Sequence, residues 1–142
     1  MDNALAIIGF YFTLIGFISG LFFTRLDGWY GDVREFWGTM KWLEKETDKI
    51  DKSKKARITL TGLRESAPRG SFISVGFLTS ALTALSLFVP ISAPAVNPFV
   101  FLQLPLVVTV LLYWIGGIIL LRKGGNLLAQ VKAQIDKVLP AQ

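Results

Sequence analysis

The sequence predicts an all-α integral membrane protein, with three transmembrane helices plus amphipathic cytoplasmic helices. Three observations lead there. No charged residue stands between Asn3 and Thr24, or between Gly70 and Leu121. The second of these stretches is interrupted near its middle by Pro90, Pro94 and Pro98. Of the fifteen Lys and Arg residues, eleven fall between Arg25 and Arg69 and the other four follow Leu121. A helix crosses the hydrocarbon core with about 20 apolar residues. The first stretch is one such length and the second about twice that, so spans are expected at 4–25, 71–89 and 100–122. A hydrophobic content of 52% and a mean hydropathy of +0.52 agree with this reading over the 142 residues.

Charge sets the expected orientation. Basic residues in short loops stay on the cytoplasmic side. Three crossings put the N-terminus and the loop at 90–99 outside, and put every Lys and Arg inside. The expected organisation is therefore a first span over 1–26 with its N-terminus outside, then a cytoplasmic loop with an amphipathic helix over 27–70. The second and third spans follow over 71–122, joined by a short Pro-rich external loop, and a cytoplasmic amphipathic tail occupies 123–142. The first block does not read as a cleaved signal peptide, because Met1-Asp2-Asn3 carries no positive charge and the apolar run is too long.

In the first span, Ala6, Gly9, Thr13, Gly16 and Gly20 share one face at spacings of 3 and 4. Small residues at such spacing let helix backbones approach closely, within the chain or onto a neighbour. In the second span Gly76, Thr79, Ser80 and Thr83 share a face. Packing is expected there, with hydroxyls bonded to carbonyls; lining of a hydrated path is the alternative. Gly76, Ser80 and Thr83 join the five residues of the first span as candidate helix-packing positions. Pro105 either kinks the third span or marks its start. Arg122 and Lys123 anchor its end, Gly124-Gly125 is expected to stop it, and Asn126 to cap a short tail helix whose apolar residues are Leu128, Val131, Ile135 and Val138.

The charged segment opens with Asp27-Gly28, which reads as a turn. From Asp32 a helical stripe follows: Val33, Phe36, Trp37, Met40 and Leu43, extended by Ile50. This stripe is the candidate contact face, either for the inner leaflet or for the tail helix or another subunit. Arg34, Lys41, Lys45 and Lys49, with Arg122 and Lys123, are the candidate contacts for lipid headgroups. After Lys55 the alternation of Ile58 and Leu60 with Thr59 and Thr61 suggests a short extended segment.

The chemistry available is narrow. His and Cys are both absent, so the usual haem, zinc and iron–sulfur ligands are absent too, as are Ser-His-Asp and Cys-His sets. No phosphate-cradling glycine motif occurs. The acids Glu44, Glu46, Asp48 and Asp51 alternate with lysines, as on a solvated face. No catalytic residue, no metal site and no cofactor of its own is expected, beyond peripheral contact with lipid or with a pigment or cofactor held by a partner. Basic and acidic residues are interleaved without a recognition motif, so nucleic acid is not an expected partner.

These features point to a non-catalytic accessory or structural subunit of a larger membrane complex. Its expected partners are membrane lipids and other integral membrane subunits, with hetero-oligomers favoured over homo-oligomers. In span order the chain resembles three-span phage holins and the ExbB/TolQ/MotA group of ion-driven stators. That resemblance implies the alternative, a self-assembling pore or stator-like oligomer. It covers span order only, and no family motif residue carries over.

Overall fold

A computed structural model describes residues 2–42, 49–88 and 103–139. They form four helices: α1 (Asp2–Trp42), α2 (Lys49–Glu65), α3 (Arg69–Leu87) and α4 (Leu104–Val138), with no strand among the described residues. The helical runs Ala6–Met40, Ile50–Leu87 and Leu104–Val138 are each long and apolar enough to cross a membrane, by length and composition. In the second run the uncharged part is α3 beyond its first residue, Arg69.

One pattern explains why these helices are so long. The buried residues of α1 include Ile8, Ile15, Ser19, Phe22, Leu26, Trp29, Val33 and Met40. Those of α4 include Leu106, Val110, Tyr113, Gly117, Gly124, Leu128, Val131 and Ile135. Both series advance by 3, 4 or 7, the repeat that keeps one seam of an α-helix against its neighbours. The seam does not break where turns were expected. Asp27-Gly28 does not end the first helix, and Gly28 and Gly31 lie exposed within α1. Gly124-Gly125 does not end the last helix, and Asn126 is a helical residue within α4 and caps nothing. An interior glycine costs a helix about 1 kcal/mol relative to Ala. Burying a side chain such as Leu or Val contributes about 1.5–3 kcal/mol, so the seam wins at both places.

The extended segment expected after Lys55 is also helical, as part of α2. Its buried residues Ser53, Ala56 and Leu60 are spaced 3 and 4. Ile58 and Leu60 do not share a strand face: Ile58 is 75% exposed and Leu60 8%. The threonines between them donate back along the helix, Thr59 to the Lys55 carbonyl (3.3 Å) and Thr61 to that of Arg57 (3.0 Å). Pro105 occupies the second position of α4, where its missing N–H costs no helical bond, so it marks the start and makes no kink. The Pro-rich loop lies outside the described residues.

The chain forms two compact units. The apolar unit comprises Met1–Thr24 and Arg69–Gly117; the charged unit comprises Arg25–Pro68 and Ile118–Gln142. In the apolar unit, Ile8, Ile15, Leu106 and Val110 make one core cluster with Leu82 and Trp114 packed on it. Beside it, Phe22, Phe72 and Tyr113 group their rings, with Phe72 stacked on Tyr113 at 5.1 Å. The Tyr113 hydroxyl donates to the Phe72 carbonyl at 3.0 Å. In the charged unit the buried residues include Leu26, Trp29, Val33 and Met40 of α1, Ser53, Ala56 and Leu60 of α2, and Leu128, Val131 and Ile135 of α4.

Glycine makes the closest approaches. A Cβ on Gly76 would overlap the Trp114 ring, one on Gly117 the Phe72 ring, and one on Gly124 the Trp29 ring. At Gly116 it would stand 2.8 Å from the Phe23 ring. No described glycine has a positive φ. These four serve by having no side chain, each leaving a hole that an aromatic knob fills.

Candidate functional site

The small-residue face of α1 turns outward. Ala6, Gly9, Thr13, Gly16 and Gly20 are all exposed, and a Cβ on any of the three glycines would meet nothing within 4 Å. At 100° per residue this face lies roughly 140° around α1 from the Ile8–Ile15–Phe22 seam. The stripe is therefore not a packing surface among the described residues of this chain. Its polar groups are already satisfied: Thr13 donates to the Gly9 carbonyl at 2.9 Å, and Thr24 to that of Gly20 at 3.0 Å. Phe10, Phe12, Phe17 and Leu21 flank it, each roughly half or more exposed. The result is a shallow apolar face with no unmet hydrogen bond.

The hydroxyl face of α3 turns inward. Gly76, Thr79, Thr83 and Ser86 are buried and Ser80 half-buried. Thr79 donates to the Val75 carbonyl (2.9 Å), Thr83 to that of Thr79 (2.9 Å) and Ser86 to that of Thr83 (2.6 Å). Ser80 donates to the Gly76 carbonyl at 2.7 Å and accepts from the Trp114 indole N–H at 3.1 Å. Gly76, Ser80 and Thr83 thus pack within the apolar unit. Every hydroxyl in the row has a protein partner, which is how packed helices accommodate Ser and Thr where water is excluded. The Ser19 Oγ of α1 is the one fully enclosed side-chain polar atom without a hydrogen-bond partner among the described residues.

In the charged unit the stripe of α1 is largely consumed by packing. Val33 and Met40 are buried, and Phe36 and Trp37 half-buried. Trp37 donates its indole N–H to Gln130 Oε1 at 3.1 Å, which ties the stripe to α4. Trp29 is buried and donates its indole N–H to the Leu63 carbonyl at 3.0 Å. Leu63 lies in the last turn of α2, where carbonyls have no partner within the helix. Leu43 and Lys45 lie outside the described residues, as do the side chains of Lys41 and Lys49. Ile50 is exposed. Arg34, Arg122 and Lys123 are exposed and free to meet headgroups or solvent.

A cleft of about 390 Å³ opens between α2 and α4 in the same unit. Arg57, Thr61, Arg64 and Glu65 line it from α2, Lys132 and Asp136 from α4, with Leu60 and Ile135 beneath. Arg57 and Asp136 approach to 3.9 Å, both about half exposed. Nothing in the sequence reading singled this cleft out. Its signal would have been the pairing of Arg57 and Arg64, seven residues apart, with Lys132 and Asp136, four apart. That pairing is visible only once 49–65 is read as helical.

Among the described residues no group of three or more Asp or Glu is placed to hold a metal ion. The arrangement offers an open small-residue face, exposed aromatics and a cleft that carries both basic and acidic side chains. Comparisons with protein-family models, with curated proteins and with solved structures find no match.

Proposed function

We propose that this chain is a non-catalytic accessory subunit of a larger membrane complex, docking onto another integral membrane protein through the small-residue face of α1. The observation that carries the reading is the contrast between two sets of glycines. Gly76, Gly116, Gly117 and Gly124 each receive an aromatic ring from this chain, whereas Gly9, Gly16 and Gly20 receive nothing. Gly28, Gly31, Gly38, Gly62, Gly70 and Gly125 are equally open, but only Gly9, Gly16 and Gly20 lie in the uncharged part of α1. A helix in lipid gains little from an empty small-residue face. A second backbone packed on it gains dispersion and Cα–H···O contacts.

The apolar helices span the membrane in this account, with the N-terminus outside and the charged unit and C-terminus cytoplasmic. The basis is the confinement of Lys and Arg to one side. Phe10, Phe12, Phe17 and Phe77, all exposed, meet lipid or a pigment or cofactor held by the partner. Arg34, Arg122 and Lys123 face anionic headgroups. The alternative, a self-assembling pore or stator, loses its clearest support: the hydroxyl face that would line a path is committed to carbonyls of α3.

The test is the double substitution Gly16→Leu, Gly20→Leu, followed by blue-native electrophoresis of gently solubilised membranes. Both positions have open space, so the chain itself keeps its fold. The expected result is a shift from a large species to the isolated chain. Unchanged migration of the large species refutes docking through this face.

A further inference from the structure

We propose that the cleft between α2 and α4 binds a phosphate-bearing anion, either the headgroup of an anionic lipid or a free phosphate ester. The proposal stands on the charged unit alone and does not depend on the docking role of α1. Arg57 and Arg64 stand two turns apart along one face of α2, and Lys132 faces the same concavity from α4. The floor is apolar, with Leu60 8% and Ile135 1% exposed. A concavity with a low-dielectric floor concentrates the field of the cations around it.

Two of those cations are uncommitted. Among the described residues neither Arg64 nor Lys132 has an ion-pair or hydrogen-bond partner. Arg57 is engaged only by the long, half-exposed pair with Asp136, the kind of pair that contributes little and exchanges readily. An entering phosphate meets two guanidinium forks and an ammonium, the donors suited to its oxygens.

The acids narrow the ligand. Glu65 and Asp136 share the lining with the cations, which disfavours a bare phosphate and favours an ester whose hydroxyl or ammonium groups they can accept from. The volume falls in the range of small-molecule sites and leaves room for such a substituent. Glycerol phosphate, free or as the headgroup of phosphatidylglycerol, has this chemistry.

The experiment uses the full chain in phosphatidylcholine nanodiscs. One arm adds phosphatidylglycerol to the bilayer and the other adds glycerol 3-phosphate to the solution. Thermal unfolding is followed by tryptophan fluorescence, since a ligand of the folded state raises the midpoint. Arg64→Gln with Lys132→Gln removes the two uncommitted cations, and Arg34→Gln, outside the cleft, is the control. The expected result is a midpoint rise in at least one arm, with apparent affinity reduced about tenfold or more in the double variant and unchanged in the control. A rise with phosphatidylglycerol alone assigns the lipid headgroup, and a rise with glycerol 3-phosphate assigns the free ester. Arg64→Lys keeps the charge, loses the fork and falls between. No rise in either arm overturns the proposal. So does an equal rise in the double variant, or an equal rise with sulfate at matched ionic strength.

Discussion

Gly117→Ala adds one methyl group to α4 at a point where the chain has no room for it. The new Cβ would overlap the Phe72 ring, so the ring must move or α3 and α4 must separate. Phe72 is only 3% exposed. It is stacked on Tyr113 at 5.1 Å and has Phe22 at 6.1 Å and Trp114 at 5.2 Å. The Tyr113 hydroxyl also holds the Phe72 carbonyl, so a retreat of the ring disturbs a hydrogen bond between the same two helices. Forcing a methyl into such a site costs about 1–3 kcal/mol. Gly16→Ala is the matched comparison, because its Cβ would meet nothing within 4 Å. There the helix gains about 1 kcal/mol of intrinsic propensity and loses no contact within the chain. Unfolding of the isolated chain in mixed micelles, titrated with dodecyl sulfate and followed by tryptophan fluorescence, reads both. Gly117→Ala should lower stability by about 1–3 kcal/mol, with Gly16→Ala neutral or slightly stabilising. Equal effects of the two substitutions refute the division of glycines into filled and open.

Other outcomes follow from the same contacts. Trp29→Phe removes one of two donors to the Leu63 carbonyl, which also accepts from Ser66 Oγ at 3.2 Å, and withdraws the indole edge that lies against Gly124. In the same titration it should cost more than the hydrogen bond alone, which contributes about 0.5–1.5 kcal/mol. Gln103→Leu leaves the Ser86 carbonyl, one residue from the end of α3, without the side-chain amide that donates to it at 3.1 Å; a loss of about 1–3 kcal/mol is expected. Thr83→Val removes a hydroxyl that bonds only to its own helix, so a change below about 1 kcal/mol is expected, with no change in ion leak across vesicles. The sequence has no Cys, so single substitutions Ser92→Cys and Ala129→Cys give a clean labelling test of orientation. An impermeant maleimide applied from outside should label the first and spare the second, and the reverse pattern refutes the assigned orientation.

The helical class and the three apolar runs were legible because they depend on long stretches of composition. Helix ends were not, because Asp27-Gly28 and Gly124-Gly125 are local signals of about 1 kcal/mol each. They are outweighed by a seam that runs on through Leu26, Trp29 and Val33, and through Leu128, Val131 and Ile135. Reading the 3–4 repeat straight across those glycines would have found both long helices. The small-residue stripe of α1 exposes a different limit. Spacing shows where a backbone can approach, but not whether one does. Of the glycines that do receive a neighbour, Gly76, Gly117 and Gly124 lie on the buried faces of α3 and α4, where they look like gaps in an apolar pattern, and Gly116 stands beside that face. The cleft was hidden for a related reason, since the alternation at 58–61 imitates a strand and conceals the shared face of Arg57 and Arg64.

Native mass spectrometry of the chain extracted gently from its own membrane tests the central claim most directly. The account predicts this chain at fixed stoichiometry with larger, different membrane proteins, and release of the chain by Gly16→Leu with Gly20→Leu. A homogeneous ring built of this chain alone would contradict it.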